Sequence, residues 1–151
     1  MRIDFSLYYQ PKPKQVIAHK CRAKYMLFGG ALGGGKSYFL CAEAIKNAMK
    51  FKGNRLVLVR KELSVLRRTT LVTFFSICPK EIIRSFNQTS LEVTFINDSK
   101  LLFLDANIAK DPMLQKIKGL EIGWFGIDEA NEVSVEVYNM LKTRLRWVLP
   151  N

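Results

Sequence analysis

The residues best equipped for chemistry lie in two places far apart in the chain. From Gly30 to Ser37 the order is Gly-Ala-Leu-Gly-Gly-Gly-Lys-Ser, which matches the G-x-x-x-x-G-K-[ST] spacing of a phosphate-binding loop. Gly30, Ala31, Leu32, Gly33, Gly34 and Gly35 would turn backbone N–H groups toward an anion, the glycines tolerating the positive φ this demands. Lys36 would bring a positive charge to the β- and γ-phosphates, and the Ser37 hydroxyl could ligate Mg²⁺. The plainer reading is a flexible glycine-rich turn with a stray lysine.

The second place is Trp124-Phe125-Gly126-Ile127-Asp128-Glu129. A phosphate loop alone binds nucleotide; hydrolysis also needs a carboxylate for the metal and a group that activates water. Asp128 would hold the Mg²⁺ hydration shell and Glu129 would polarise the attacking water. Glu129 and Lys36 are then the catalytic candidates, and Ser37 and Asp128 the metal-holding ones. Acidic residues also suit helix N-termini, so the pair could simply open a helix. A rival exists in Leu101-Leu102-Phe103-Leu104-Asp105, which has the same apolar-then-Asp shape. Ala106 follows it, however, and its strand reads as half of a hairpin, so Asp128-Glu129 is preferred.

These groups need elements to position them. Tyr25-Met26-Leu27-Phe28 is expected to be a buried strand entering the loop, and residues 36 to about 50 a helix leaving it. Phe39, Leu40, Ala44 and Ala48 would form the inward stripe of that helix, and Cys41 would be a core thiol. Arg55 to Arg60 is a near-continuous apolar run of the kind found inside parallel sheets, completing a βαβ unit. Residues 61 to about 77 read as one helix, closed by Pro79. Strands follow at 83–86, 91–96 and 101–104, and Asn97-Asp98-Ser99-Lys100 predicts an antiparallel hairpin between the last two. Residues 106–120 look irregular, 122–127 form a strand, and 134–147 a helix capped by Ser134.

Residues 1–24 are basic and punctuated by Pro11 and Pro13, which predicts an extended lead-in with a short helix starting at Gln15. The Gln15 amide could read an adenine edge, with a nearby tyrosine ring stacking on the base. A basic surface arm is the simpler interpretation.

At 151 residues, 48% of them hydrophobic and 25% charged, the chain suits one folded domain with a real core. Its net charge of +11 is lopsided: residues 1–100 carry 18 Lys/Arg against 6 Asp/Glu, residues 101–151 carry 6 against 7. A basic body suggests a polyanionic partner, nucleic acid first. Cys21, Cys41 and Cys78 lack any C-x-x-C spacing, and His19 is alone, which argues against zinc, a disulfide framework or histidine-based catalysis. No signal-type leader or membrane-length apolar run is visible.

With these parts in place the chain resembles the ATPase domain of phage terminase large subunits, the DNA-packaging motors. The likeness rests on Gly29 to Ser37, on Lys118-Gly119-Leu120-Glu121 leading into Trp124 to Ala130, and on their order. A Pro/Gln lead-in comes first, then Arg60-Lys61 with downstream Leu66-Arg67, and finally Leu145-Arg146-Trp147. The resemblance implies a P-loop NTPase of the additional-strand, RecA-like type: a mainly parallel sheet flanked by helices, with a hairpin insertion. ATP and Mg²⁺ would be its cofactors and Gln15 the adenine-contacting residue. Implied partners are double-stranded DNA, a portal protein, a small terminase subunit and further copies in a ring, in the cytoplasm of an infected host cell.

The chain departs from the family pattern in several respects. Leu32 stands where many members have a loop arginine, and Lys118 where many have an arginine acting on a neighbouring subunit's ATP. Lysine keeps the charge but loses the bidentate fork. A further strand, expected between the loop strand and the Asp-Glu strand, has no counterpart after Asp128, and no nuclease domain follows. The sheet is therefore expected to be incomplete, and the chain to be a partial ATPase domain. The alternatives are a nucleotide- or DNA-binding fragment without turnover, a helicase-like nucleic-acid-dependent ATPase, and a basic nucleic-acid module whose glycine loop is incidental.

Overall fold

Strand β1 (Arg55–Arg60) is buried along its four inner residues, and the sheet is assembled on its two edges. A computed structural model describes residues 2–30 and 35–150. On one edge of β1 lies β4 (Lys100–Asp105) and on the other β5 (Trp124–Ile127), both parallel to it. Beyond β4 come β3 (Glu92–Phe95) and β2 (Ile83–Asn87), each antiparallel to its neighbour. The result is a five-stranded mixed sheet in the order β2-β3-β4-β1-β5. The hairpin expected at Asn97 to Lys100 is therefore present, and it carries the antiparallel half.

Side-chain alternation along β1 divides the core between the two faces of the sheet. Leu56 and Leu58 enter a large cluster with α2 (Lys36–Lys50) and α4 (Thr70–Ile77), where Phe74, Phe95 and Phe103 meet. Val57 and Val59 enter a smaller one with α5 (Gln115–Lys118) and α6 (Val135–Thr143). Helices thus cover both faces, as an α/β architecture requires. Ser134 caps α6 as expected, its hydroxyl accepting from the Glu136 N–H.

Several expectations are corrected. Tyr25-Met26-Leu27-Phe28 is not a strand: Leu27 is 86% exposed, and Tyr25 and Met26 are exposed too. A strand exists only by pairing, and a groove of about 2000 Å³ separates this segment from β5. Among the described residues β5 pairs with β1 alone, so the sheet is open on that side. The short helix expected from Gln15 is present but starts earlier: α1 (Pro13–Lys20) has Pro13 in its first turn, where its missing N–H costs nothing.

The single helix expected over 61–77 is two, α3 (Leu63–Arg68) and α4, broken at Thr69. There the threonine hydroxyl donates to Val65 O at 2.6 Å, competing with the helix ladder. Helix α6 stops at Thr143 because the following backbone turns to Ile122, whose N–H donates to Arg144 O and whose carbonyl accepts from Trp147 N–H.

Candidate active site

The site is built where α2 starts and β5 ends. Gly35 closes the glycine run with φ 71°, a left-handed turn that lets the next residue open the helix. The fully formed first turn of α2 then presents Lys36 and Ser37. Ala31, Leu32, Gly33 and Gly34, expected to cradle phosphate, lie outside the described residues. Lys36 Nζ donates to Gly30 O at 3.0 Å, so the lysine folds back toward Gly30.

Ser37 Oγ donates to the Asp128 carboxylate, at 2.9 Å to Oδ1 and 3.1 Å to Oδ2. The two motifs, which sequence spacing could only suggest separately, therefore meet. Gly126 makes the approach possible: a Cβ there would stand 2.7 Å from Leu40 Cδ1 on α2. Without a side chain at that point, α2 lies close over β5 and carries Ser37 to its end.

Asp128 is 3% exposed and well partnered. Beyond Ser37, its Oδ2 accepts from Thr70 Oγ1 at 2.6 Å and faces Arg60 Nη1 at 3.5 Å. Arg60 is held by Thr69 Oγ1 at 2.8 Å, while its buried Nε has no hydrogen-bond partner among the described residues. Cys41 lies below, its thiol toward Thr70 O. Burial, with the Asp128 charge adding, pushes that thiol up, so it is a protonated core group as expected.

Glu129 follows with φ 54°, a left-handed conformation that a non-glycine residue rarely holds. It stands half-buried at the rim of a groove of about 510 Å³ that Gln10, Gln15, Lys36, Ser37 and Tyr38 also line. Its volume falls within the range of small-molecule sites.

Gln15 is 2% exposed, and both ends of its amide are engaged. Its Nε2 donates to Gly35 O and its Oε1 accepts from Lys12 N–H, each at 2.7 Å. It thus ties the lead-in to the last glycine of the loop. A second tie has no signature in the sequence: His19, the chain's lone histidine, bonds Tyr9 Oη at 3.0 Å through Nε2 and Glu43 of α2 through Nδ1.

The remaining candidates fall elsewhere. Asp105 ends β4 on the far side of β1 and pairs with Lys116 Nζ at 2.7 Å, away from Ser37. Lys118 closes α5 and lines neither groove; its carbonyl accepts from Arg144 Nη1 at 2.7 Å. Thr70 and Arg60 are the partners of Asp128 that sequence reasoning missed as such. The adjacent Thr69 and Thr70, weak helix formers within an otherwise helical run, were the available signal.

Chemically the arrangement offers a hydroxyl and a carboxylate oxygen for a cation, an ammonium for an anion, and a second carboxylate beside them.

Two crystal forms of the large terminase from a thermophilic bacteriophage share this fold. One matches with a TM-score of 0.63 at 17% identity over 77% of this chain, the other with 0.61 at 17% over 76%. The chain spans only 29% and 28% of those two chains. No curated protein sequence matches. The model of the phage terminase large subunit family matches residues 22–151, which takes in both motifs and the strands and helices that bring them together. The chain belongs to the phage terminase large subunit family.

Proposed function

We propose that this chain is the ATP-binding and ATP-hydrolysing motor region of a terminase large subunit, driving double-stranded DNA into a capsid. The observation that carries the reading is the 2.9 Å hydrogen bond from Ser37 Oγ to Asp128 Oδ1. Hydroxyl and carboxylate oxygens side by side are a donor set that suits a small hard cation such as Mg²⁺. Bound there, Mg²⁺ would neutralise charge on the nucleotide's phosphates.

In this reading Ser37 and Asp128 hold the ion, and the loop from Gly30 to Gly35 receives the phosphates on its N–H groups. Lys36 leaves Gly30 O for a phosphate oxygen. Gln15 sets the adenine side by fixing Gly35, and Glu129 orients water and takes its proton. Lys118 acts on the nucleotide of a neighbouring copy in a ring. The basic part of the chain meets DNA, and a portal protein and small terminase subunit complete the machine in the infected cell's cytoplasm.

Replacing Glu129 with Gln tests the assignment. Nucleotide affinity should stay within about twofold, while phosphate release falls by roughly a thousandfold, the scale of a lost general base. Hydrolysis at the parent rate would refute the role given to Glu129.

The open edge of β5 favours a second reading, in which this chain binds nucleotide but does not turn it over. A melting temperature raised by ATP without any release of phosphate would select it.

A further inference from the structure

Ser37 reaches both oxygens of Asp128, whereas Thr70 and Arg60 reach Oδ2 alone. From the α2 side, Ser37 Oγ makes its shorter bond, 2.9 Å, to Oδ1. From α4, Thr70 Oγ1 donates to Oδ2 at 2.6 Å, and from the end of β1 Arg60 Nη1 stands 3.5 Å from the same atom. Thr70 is fully buried at the first position of α4, and the break at Thr69 is what aims it at β5.

Local helix chemistry does not require this bond. Thr69, one residue earlier, gives its hydroxyl proton to Val65 O in its own helix, whereas Thr70 spends its proton on a carboxylate 58 residues away. An aspartate's terminal torsion is broad and two-fold, so an unanchored carboxylate would sample many orientations. Two donors on one oxygen remove that freedom.

We infer that Thr70, supported by Arg60, is a positioning residue that pins Oδ2 of Asp128 so that Oδ1 faces the loop serine and the cation. The inference rests on the proposed nucleotide site. Thr70 touches neither nucleotide nor metal and acts only through Asp128, as outer partners of a metal-holding carboxylate do.

The test measures binding of ADP to the full chain with Mn²⁺ and again in EDTA, following bound Mn²⁺ by its paramagnetic resonance. Thr70→Val keeps the shape and removes the proton; Thr70→Ser keeps the proton. Mn²⁺-dependent ADP affinity should fall about tenfold in Thr70→Val and return in Thr70→Ser, with metal-free ADP affinity changing far less. If Thr70→Val fails to fold, Arg60→Met probes the same oxygen and should weaken Mn²⁺-dependent binding several-fold. A folded Thr70→Val or Arg60→Met that binds Mn²⁺ and ADP as the parent does overturns the inference while leaving the site itself standing. A parent chain without metal-dependent ADP binding overturns the proposed function and this inference together.

Discussion

Asp105 and Asp128 end two parallel strands that flank the same β1, and only one of them meets Ser37 at the start of α2. Both follow an apolar run, and both occupy the C-terminal end of a strand, where α/β sheets place ligands. The difference lies one turn of the pleat below. Leu58 of β1 is paired with Phe103 on the β4 side and with Gly126 on the β5 side. The phenylalanine fills the space beneath α4, stacking edge-on against Phe74 at 5.2 Å. The glycine leaves space that α2 occupies, and α2 brings Ser37. A strand-end aspartate becomes part of a site when the neighbouring helix can come close enough to add its own groups.

Removing the charge from the favoured carboxylate should break the comparison most severely. Asp128→Asn replaces the charged carboxylate with a neutral amide that keeps one oxygen and, among the described residues, leaves Arg60 with only Glu132 Oε2, 4.0 Å away, as a counter-charge. Metal-dependent nucleotide binding should fall by about a hundredfold, read by titration with Mg²⁺ and ADP. Affinity within a few-fold of the parent would mean that Asp128 serves only the fold.

Restoring a side chain at the glycine tests the geometric cause. Gly126→Ala puts a Cβ 2.7 Å from both Leu40 Cδ1 and Trp124 Cη2, so one or both of those side chains must shift. Overpacking of this kind costs about 1–3 kcal/mol. The thermal midpoint should drop by several degrees, and the Ser37–Asp128 bond should lengthen, with a matching loss of nucleotide affinity. An unchanged midpoint would show that α2 is not held against β5 by that contact.

How much of this was legible beforehand depended on how local each cause was. The run Leu56-Val57-Leu58-Val59 declares itself, because four apolar β-formers in a row suit a strand covered on both faces. Tyr25-Met26-Leu27-Phe28 is just as apolar and fails, because whether it pairs depends on what lies across the groove. The glycine–lysine–serine order and the Asp-Glu pair could be read as chemistry from residue types alone. Their meeting could not, since it depends on Gly126 and on an αL turn at Gly35. The role of Gln15 was half-visible: its position beside the loop could be read, but not its bond to the Gly35 carbonyl. Thr69-Thr70 could hint at a break in the helix, but nothing in that pair announces a carboxylate 58 residues downstream.

The lead-in offers a smaller effect on the same scale. Gln15→Ala strips the Gly35 carbonyl and the Lys12 N–H of their side-chain partner. The Gly35 carbonyl keeps its bond from Phe39 N–H and Lys12 lies exposed, so the cost is that of two lost hydrogen bonds, about 0.5–1.5 kcal/mol each. Nucleotide affinity should fall with stability, and Gln15→Glu, which keeps the acceptor for Lys12 but loses the donor to Gly35, should restore neither. A Gln15→Ala chain that melts with the parent and loses only its preference for ATP over other nucleoside triphosphates would assign Gln15 to the base instead of the loop.

The least effect is expected at the other strand end, and it is the control that gives the comparison its meaning. Asp105, its side chain 15% exposed, is paired with Lys116, 48% exposed, and such a partly exposed pair contributes up to about 1 kcal/mol. For a chain of this size that corresponds to at most roughly 2–4 °C in thermal midpoint. Asp105→Asn should therefore melt within a few degrees of the parent and bind metal and nucleotide as the parent does. Phe103 holds β4 against α4 whether or not its strand ends in a charge, and no hydroxyl comes from α2 to meet one. If Asp105→Asn instead lost nucleotide binding as Asp128→Asn does, proximity to Ser37 would no longer explain which aspartate matters. The electrostatic field at the end of the whole sheet would have to replace it.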